Sequence, residues 1–392
     1  MNEPIPHHTD TISTAPFQKS DIEKILKTTF VNGSGIKILS HGNESFTSII
    51  NAISSARHII CIEFYLFKDD YTGKKVAEAL KKKASEGVDI YLLYDHFGSF
   101  LTSTRFWSDL KKHGIKVKVS NPFRWSAPRG YQYRNHKKLL IVDGTIAITG
   151  GFNIADEYHK SESLYNPWRD TGISLEGPIA KSLLTIFKNS WATWTGNRIT
   201  WEPPAVACNP GIPVIPIFIS SGRSRRKMRK LLEYSIRHSD KSILLTNAYF
   251  MPGRKIRRAM IAAAGNGVKL VLLLPGQSDI KSAYYAGRSL YSKLLKAGIE
   301  IYNYREAVLH AKTAVFDNSW SIIGSSNLDL QSMWRNEESN VGILDKQISQ
   351  NMTDLFKKDL SSSIKIDAES WATRPFHEKI LEKLCYFVMR KL

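Results

Sequence analysis

A histidine two residues ahead of a lysine occurs twice in closely similar surroundings. These are His136 and Lys138 in NHKKLLIVDGTIAITGGFN (135–153), and His310 and Lys312 in LHAKTAVFDNSWSIIGSSN (309–327). Each copy reads H-x-K-x-x-x-x-D, then six residues, then G-[GS]-x-N. Asp143 and Asp317, Gly150 and Gly324, and Asn153 and Asn327 therefore recur at the same 174-residue separation as the histidines. The apolar run after each lysine predicts a strand, and residues two apart on a strand share a face. Each copy thus offers one imidazole and one ammonium to a common surface. One imidazole nitrogen can attack phosphorus, and a second imidazolium can protonate the departing oxygen. Two lysines and two asparagine amides can hold the non-bridging oxygens as charge builds there. That chemistry is phosphoryl transfer through a covalent intermediate. It requires no metal, no acidic cluster with metal spacing lies near the motifs, and no cofactor is expected.

The elements that must position these residues repeat as well. In the first half RHIICIEFYLF (57–67) reads as a buried strand, followed by a helical segment, the strand VDIYLLYD (88–95), a second helical segment and the strand IKVKVS. The second half runs in the same order through KSILLTNAYFM (241–251), RKIRRAMIAAAGNG, VKLVLLLP (268–275), SLYSKLLKAG and IEIYNY. Strands alternating with helices in this way predict parallel β-α-β units. A duplicated unit with one histidine per copy predicts an α/β protein of two similar lobes, each a mixed sheet flanked by helices, related by a pseudo-two-fold axis with the site in the cleft between. The expected division is a leader over 1–34, a first lobe over 35–202, a Pro-rich linker over 203–222, a second lobe over 223–366 and an amphipathic C-terminal segment over 367–392.

The bulk properties narrow the partner. The 392 residues carry 55 Lys and Arg against 36 Asp and Glu, a formal net charge of +19, so an anionic partner is expected, nucleic acid or a membrane surface. Hydrophobic content of 42% and charged content of 23% suit an ordinary soluble globular protein. Cys61, Cys208 and Cys385 are odd in number and far apart, which suits structural thiols in a reducing compartment. The N-terminus has no basic segment followed by an apolar core. The stretch Pro203–Gly222 holds five prolines, which a membrane-spanning helix would not tolerate. A protein of this kind that acts on lipid is expected to lie on the membrane.

The two segments HKKLLIVDGTIAITGGFN and HAKTAVFDNSWSIIGSSN resemble the paired motifs of the phospholipase D superfamily. The resemblance runs from the first buried strand to about Asp345. GGFNIADEY (150–158), PWRDTGISLEGP (167–178), TNAYFMPGRKIRRA (246–259), LLLPGQSD (272–279) and GSSNLDLQSMWRNEESN (324–340) further resemble its bacterial cardiolipin synthase branch, in the form without N-terminal transmembrane helices. The resemblance implies transfer of a phosphatidyl group between two phosphatidylglycerol molecules through a phosphohistidine, with release of glycerol, on the cytoplasmic membrane and with no obligate protein partner. It implies His136 as nucleophile and His310 as general acid and then base, an order taken from chain position because the pair is symmetric. Lys138, Lys312, Asn153 and Asn327 would bind phosphate. Asp170 and Glu338 would each orient a histidine, in its own half or the opposite one, with Glu338 chosen over adjacent Glu337 by its spacing from Asn327. Asp143 and Asp317 complete the catalytic motif, but five residues past each lysine they are expected to support the strand. A hydrolase of the same superfamily, phospholipase or nuclease, is the alternative.

Blander readings stand beside these. Lone structural histidines are common, and two copies in register outweigh that reading. Asn153 and Asn327 would serve equally as helix caps. His7, His8 and Asp10 fall in a polar leader and are expected to be solvated. SGRSRRKMRK (221–230) is a solvated helix face or a headgroup-facing one. The C-terminal RPFHEKILEKLCYFVMRKL (374–392) has an apolar helical stripe with basic flanks, which suits packing on the protein and lying in a membrane interface equally.

Overall fold

The structure is a computed structural model that describes residues 17–123, 125–126, 132–159, 166–204 and 211–391. The β-branched runs become strands. In the first half these are β1 (Val31–Leu39), β2 (Ile59–Phe64), β3 (Asp89–Asp95), β4 (Lys116–Ser120), β5 (Lys138–Val142), β6 (Ile146–Gly150) and β7 (Gly172–Glu176). In the second they are β8 (Ile212–Ile219), β9 (Ser242–Asn247), β10 (Lys269–Pro275), β11 (Glu300–Tyr304), β12 (Lys312–Phe316), β13 (Trp320–Gly324) and β14 (Glu338–Leu344), with β15 (Ser363–Lys365) added at the edge.

The first seven pair in the order β4-β3-β2-β5-β6-β7-β1, and the next seven repeat it as β11-β10-β9-β12-β13-β14-β8. In each half the three strands joined through helices are parallel, because a parallel pair needs a long crossover. The strands after the histidine run antiparallel, with tight turns between β5 and β6 and between β12 and β13. The expected α/β class with two similar mixed-sheet lobes is what the chain adopts. The lobes also join edge to edge: β1 pairs with β8 antiparallel, Val31 opposite Val214, so all fifteen strands form one continuous sheet.

Each lobe has its own outer core, and a third buried layer is built from both. There Leu139, Ile141 and Ile173 of the first lobe meet Val315, Ile323 and Val341 of the second, together with residues of the helices Pro178–Thr195 and Lys346–Ser361. The relative position of the lobes is thus set by apolar burial as well as by strand pairing.

The stretch Pro203–Gly222, expected as a linker, departs from expectation. Its second half is β8, a central strand holding Pro213 and Pro216. The run IPVIPIFI is β-branched and buried, and its pull toward the core outweighs the prolines. β1 pairs with β8 only from Ile212 to Val214. Pro216, opposite Val341 of β14, therefore lies where one edge of the strand has already lost its partner. The stretch expected as a linker therefore gives way to a strand at Ile212. The N-terminal His7, His8 and Asp10, and Cys208, lie outside the described residues; Cys61 is buried and Cys385 partly so.

The C-terminal segment forms the helix Phe376–Lys391. It packs through its acidic side on the helix Lys281–Arg288, where Arg288 pairs with Glu378 and, at 3.0 Å, with Glu382. Its apolar stripe faces outward, Phe376, Leu384 and Phe387 all being exposed. No helix among the described residues is long and apolar enough to cross a membrane.

Candidate active site

β5 and β12 open at Lys138 and Lys312, and each histidine lies just before its strand. Pairing with β2 and β9 puts Lys138 opposite Phe64 and Lys312 opposite Asn247. All four side chains are buried. Their charges reach one another across the lobes: the Lys312 ammonium acts on His136, and the Lys138 ammonium and His136 act on His310. The four residues that the sequence separates by 174 positions are therefore brought into one cleft.

The orienting acids cross over. His136 Nδ1 lies 2.9 Å from Glu338 Oε2, and His310 Nδ1 lies 2.7 Å from Asp170 Oδ2. Each carboxylate thus serves the histidine of the opposite lobe, a choice left open by the sequence. Backbone pairing across the cleft fixes this. The His136 N–H donates to Glu337 O (2.9 Å) and the Glu337 N–H to Arg134 O (2.8 Å). In the mirrored place the His310 N–H donates to Arg169 O (2.7 Å) and the Arg169 N–H to Val308 O (2.8 Å). The residue before each acid is thereby bridged to the residue before the opposite histidine. Glu338, not Glu337, faces His136, while Glu337 turns to buried Lys137, which also lies 3.3 Å from Glu63. With Nδ1 engaged by a carboxylate, Nε2 is the atom left for chemistry on each ring.

Lys138 Nζ donates to His136 O at 2.7 Å. Lys312 Nζ lies 2.7 Å from His310 Nδ1 and also donates to His310 O. Each ammonium has three N–H bonds, so both retain donors for an anion. The asparagines do less direct work than expected. Asn153 Oδ1 accepts from the Leu66 N–H (3.2 Å) and Asn327 Oδ1 from the Tyr249 N–H (3.3 Å), holding the loops after β2 and β9. Asn153 Nδ2 donates to Tyr158 OH at 2.9 Å. Neither caps a helix; the cap after Asn327 is Asp329.

Asp143 and Asp317 stand at the far ends of β5 and β12. Asp143 accepts from the N–H groups of Arg57, His58 and Ile59, and Asp317 from those of Asp240, Lys241 and Ser242, all at 2.8 Å. Both adopt positive φ, 50° and 48°. They clamp the neighbouring strand and do not contact the histidines, so their grouping with the catalytic residues gives way to the supporting role. The reason is geometric, since a five-residue strand separates them from the cleft.

Sequence reasoning missed the aromatic wall. The Tyr65 ring stands edge-on to His136 at 4.9 Å, and Tyr158, Trp168 and Tyr249 surround His310 at 5.3, 5.5 and 6.0 Å between centroids. Ser325, inside the second G-[GS]-x-N, donates to Glu338. Its place in the motif was the only signal available. Among the described residues no group of three or more His, Cys, Asp or Glu is placed to hold a metal ion.

Burial sets the electrostatics. It pushes His136 below the usual imidazole range, with Glu338 partly opposing. Burial and then the Lys312 ammonium push His310 well below it. Burial also lowers Lys138 strongly and Lys312 to about 8, and raises Asp170 to about 6. Glu338 moves the other way: burial would raise it, but the charge and hydrogen bond of His136, with Lys138 and Ser325 adding to them, hold it below the usual carboxylate range.

The sequence matches the family model described as "Cardiolipin synthase, PLD-like domain" over residues 49–191 and 232–360. A cardiolipin synthase of Halalkalibacterium halodurans is 32% identical over 354 residues, which span 89% of this chain and 70% of that one. A cardiolipin synthase of Geobacillus thermodenitrificans is 29% identical over 98% of this chain and 78% of its own. Among solved structures, phosphatidylserine synthase from Haemophilus influenzae superposes with a TM-score of 0.71 over 95% of this chain and 97% of that one. At 14% identity that likeness speaks for the fold alone.

Proposed function

The chain belongs to the family of phospholipase-D-like cardiolipin synthases and is a phosphatidyltransferase, and from that premise we propose that phosphatidylglycerol is both its donor and its acceptor. The observation that supports this best is the crossed pairing of each histidine with the other lobe's carboxylate, which leaves two free Nε2 atoms and two ammoniums in one near-symmetric cleft. A reaction whose donor and acceptor are the same lipid suits a site with that symmetry. A cleft with two buried lysines suits an anionic diester.

In the first step His136 Nε2 attacks phosphorus and the P–O bond to the headgroup glycerol breaks. His310, as imidazolium, gives its proton to the departing oxygen. In the second step a hydroxyl of another phosphatidylglycerol loses its proton to His310 and attacks phosphorus, and the P–N bond breaks. Two phosphatidylglycerols become one cardiolipin and one glycerol. Lys138 and Lys312, with the remaining amide protons of Asn153 and Asn327, hold the non-bridging oxygens, and Asp170 and Glu338 keep each ring's Nδ1 occupied.

Turnover of labelled phosphatidylglycerol in mixed micelles should give cardiolipin and glycerol in equal amounts. Cleavage of single-stranded DNA without cardiolipin formation would instead identify a hydrolase. Protein quenched in denaturant at neutral to mildly alkaline pH, where a P–N bond survives, should carry phosphorus label on residue 136; label on residue 310 would reverse the roles. Since the histidines act as a unit, His136→Ala, His310→Ala and the double change should lose turnover almost equally, and additive losses would contradict the relay. Activity should survive a chelator, and loss restored by magnesium would count against a relay of imidazoles alone. The reading puts the protein on the inner face of the cytoplasmic membrane, attracted by its +19 charge.

A further inference from the structure

The two halves of the cleft are not built alike, and the difference lies beside His310. Tyr249 and Leu66 hold matching places, each donating its N–H to the asparagine of its own lobe's motif. Asp279 and Ser99 also match, each four residues past the end of a matching strand, β10 and β3. In the first lobe both members turn inward. Leu66 packs on the lobe's core, and buried Ser99 accepts from the Phe67 N–H (3.0 Å) and donates to Tyr65 O (3.1 Å). In the second lobe both are polar and reach the site. The Tyr249 ring stands edge-on to His310 at 6.0 Å, and its hydroxyl lies 2.9 and 2.8 Å from the two oxygens of Asp279.

Asp279 is exposed, with Ser278 Oγ as a second hydroxyl donor at 3.3 Å. Its charge is felt in the cleft: burial lowers His310 and Lys312, and Asp279 works against that on both. A carboxylate so placed opposes the binding of an anionic diester, unless the substrate brings hydrogen-bond donors to it. Carboxylates accept hydrogen bonds and give none, and their two oxygens hold about four lone-pair sites. Tyr249 and Ser278 fill part of these, and the rest face water. A glycerol headgroup supplies the donor, because the carbon next to its reacting oxygen carries a hydroxyl. Water and simple alcohols carry none there.

We propose that Asp279, held by Tyr249, recognises the glycerol headgroup: its carboxylate accepts the hydroxyl on the carbon next to the reacting oxygen, on the His310 side of the cleft. Holding that hydroxyl sets the reacting oxygen beside the His310 ring when it leaves and again when it attacks. The inference rests on phosphatidylglycerol being donor and acceptor and on His310 serving the alcohol oxygen in both steps. It adds the residue that tells a polyol from water or a simple alcohol, and it gives the near-symmetric cleft a distinct alcohol side.

The test is headgroup exchange by the full chain on short-chain, monomeric phosphatidylglycerol, with labelled glycerol, ethanol or ethanolamine supplied as acceptor. Wild type should favour glycerol over ethanol in kcat/KM, and Asp279→Ala should cut that ratio by about tenfold or more. A ratio within one protein does not depend on how much of it is folded. Asp279→Asn, whose amide oxygen still accepts, should keep part of the preference, and Tyr249→Phe should lower it less than Asp279→Ala. An unchanged ratio in Asp279→Ala would overturn the proposal, and a common fall in both rates would mark Asp279 as a positioning residue for His310 instead. So would a variant that loses ethanolamine transfer alone, which would make the carboxylate a cation site. A wild type that prefers glycerol through Asp279 but forms no cardiolipin from phosphatidylglycerol alone would sink the functional reading and leave the alcohol site standing.

Discussion

Asp170 and Glu338 do the same work for opposite histidines from opposite electrostatic positions. Burial raises Asp170 to about 6. A raised carboxylate is fully accommodated below its unfolded pKa and costs stability as pH climbs through the folded value. Removing that charge with Asp170→Asn should raise the stability near neutral pH, by at most about 3 kcal/mol, and change nothing near pH 4. Glu338 is held low, so its contribution is present above its unfolded pKa and is lost as pH falls through the folded one. Glu338→Gln should therefore destabilise the protein near neutral pH by about 1–3 kcal/mol. Both changes should cost about two to four orders of magnitude in turnover, because each leaves a ring unoriented. Thermal melts at two pH values beside the lipid assay read both effects, and equal signs for the two variants would refute the contrast. The same groups predict a bell-shaped kcat/KM, with an acid limb near Asp170's 6 and an alkaline limb near Lys312's 8. Lys312→Arg, charged at all accessible pH, should retain residual activity without the alkaline limb. At this scale the histidines and lysines were legible because a duplicated register marks them. The acids were legible only as candidates, since their pairing depends on backbone bridges between residues about 140 and 200 positions apart. The aromatic wall of Tyr65, Tyr158, Trp168 and Tyr249 was not legible as a wall, although three of the four lie in the family-like segments, as aromatics fill cores as readily as clefts.

Among the elements, the fifth strand of each lobe is held at both ends, by the histidine bridge at one and the aspartate clamp at the other. Asp143 and Asp317 each receive three backbone N–H groups, part of them open to water. Water replaces the exposed bonds when the carboxylate is removed, so Asp317→Ala should cost about 1–3 kcal/mol of stability. Folded protein should keep its kcat within a few fold, and a large kcat loss in the folded fraction would return Asp317 to the chemistry. Strand periodicity made β2, β3, β9 and β10 legible, since uninterrupted β-branched runs read as buried parallel strands. β8 was not legible. Five prolines in twenty residues read as a linker, and only the tertiary pairing reveals that Pro216 sits where β1 no longer asks for a donor.

Across the whole molecule, duplication raises the question of why one lobe could not pair with a copy of itself. The histidine, lysine and orienting acid are present in each half, so either lobe holds the parts of a symmetric site. The flanking charges break the symmetry. Lys137 of the first lobe, which also pairs with Glu63 of its own lobe, takes up Glu337 of the second, and Arg169 of the first takes up Asp359 of the second in a two-bond pair of 2.8 and 2.7 Å. In the second copy Ala311 stands where the first has Lys137, and Glu337 where the first has Arg169. Two first lobes would bury Arg169 beside Lys137, two cations with Glu63 alone to share and no Asp359, and two second lobes would bring Glu337 to a place without Lys137. An unpaired buried charge is strongly destabilising, by about 3–5 kcal/mol, so unlike halves should select each other. Separate polypeptides of 1–204 and 211–392 should therefore each be inactive, and together should co-purify one to one and recover phosphatidyl transfer. Turnover by either half alone would show that a symmetric pair satisfies the site, and that the crossed ion pairs do not decide which lobes meet.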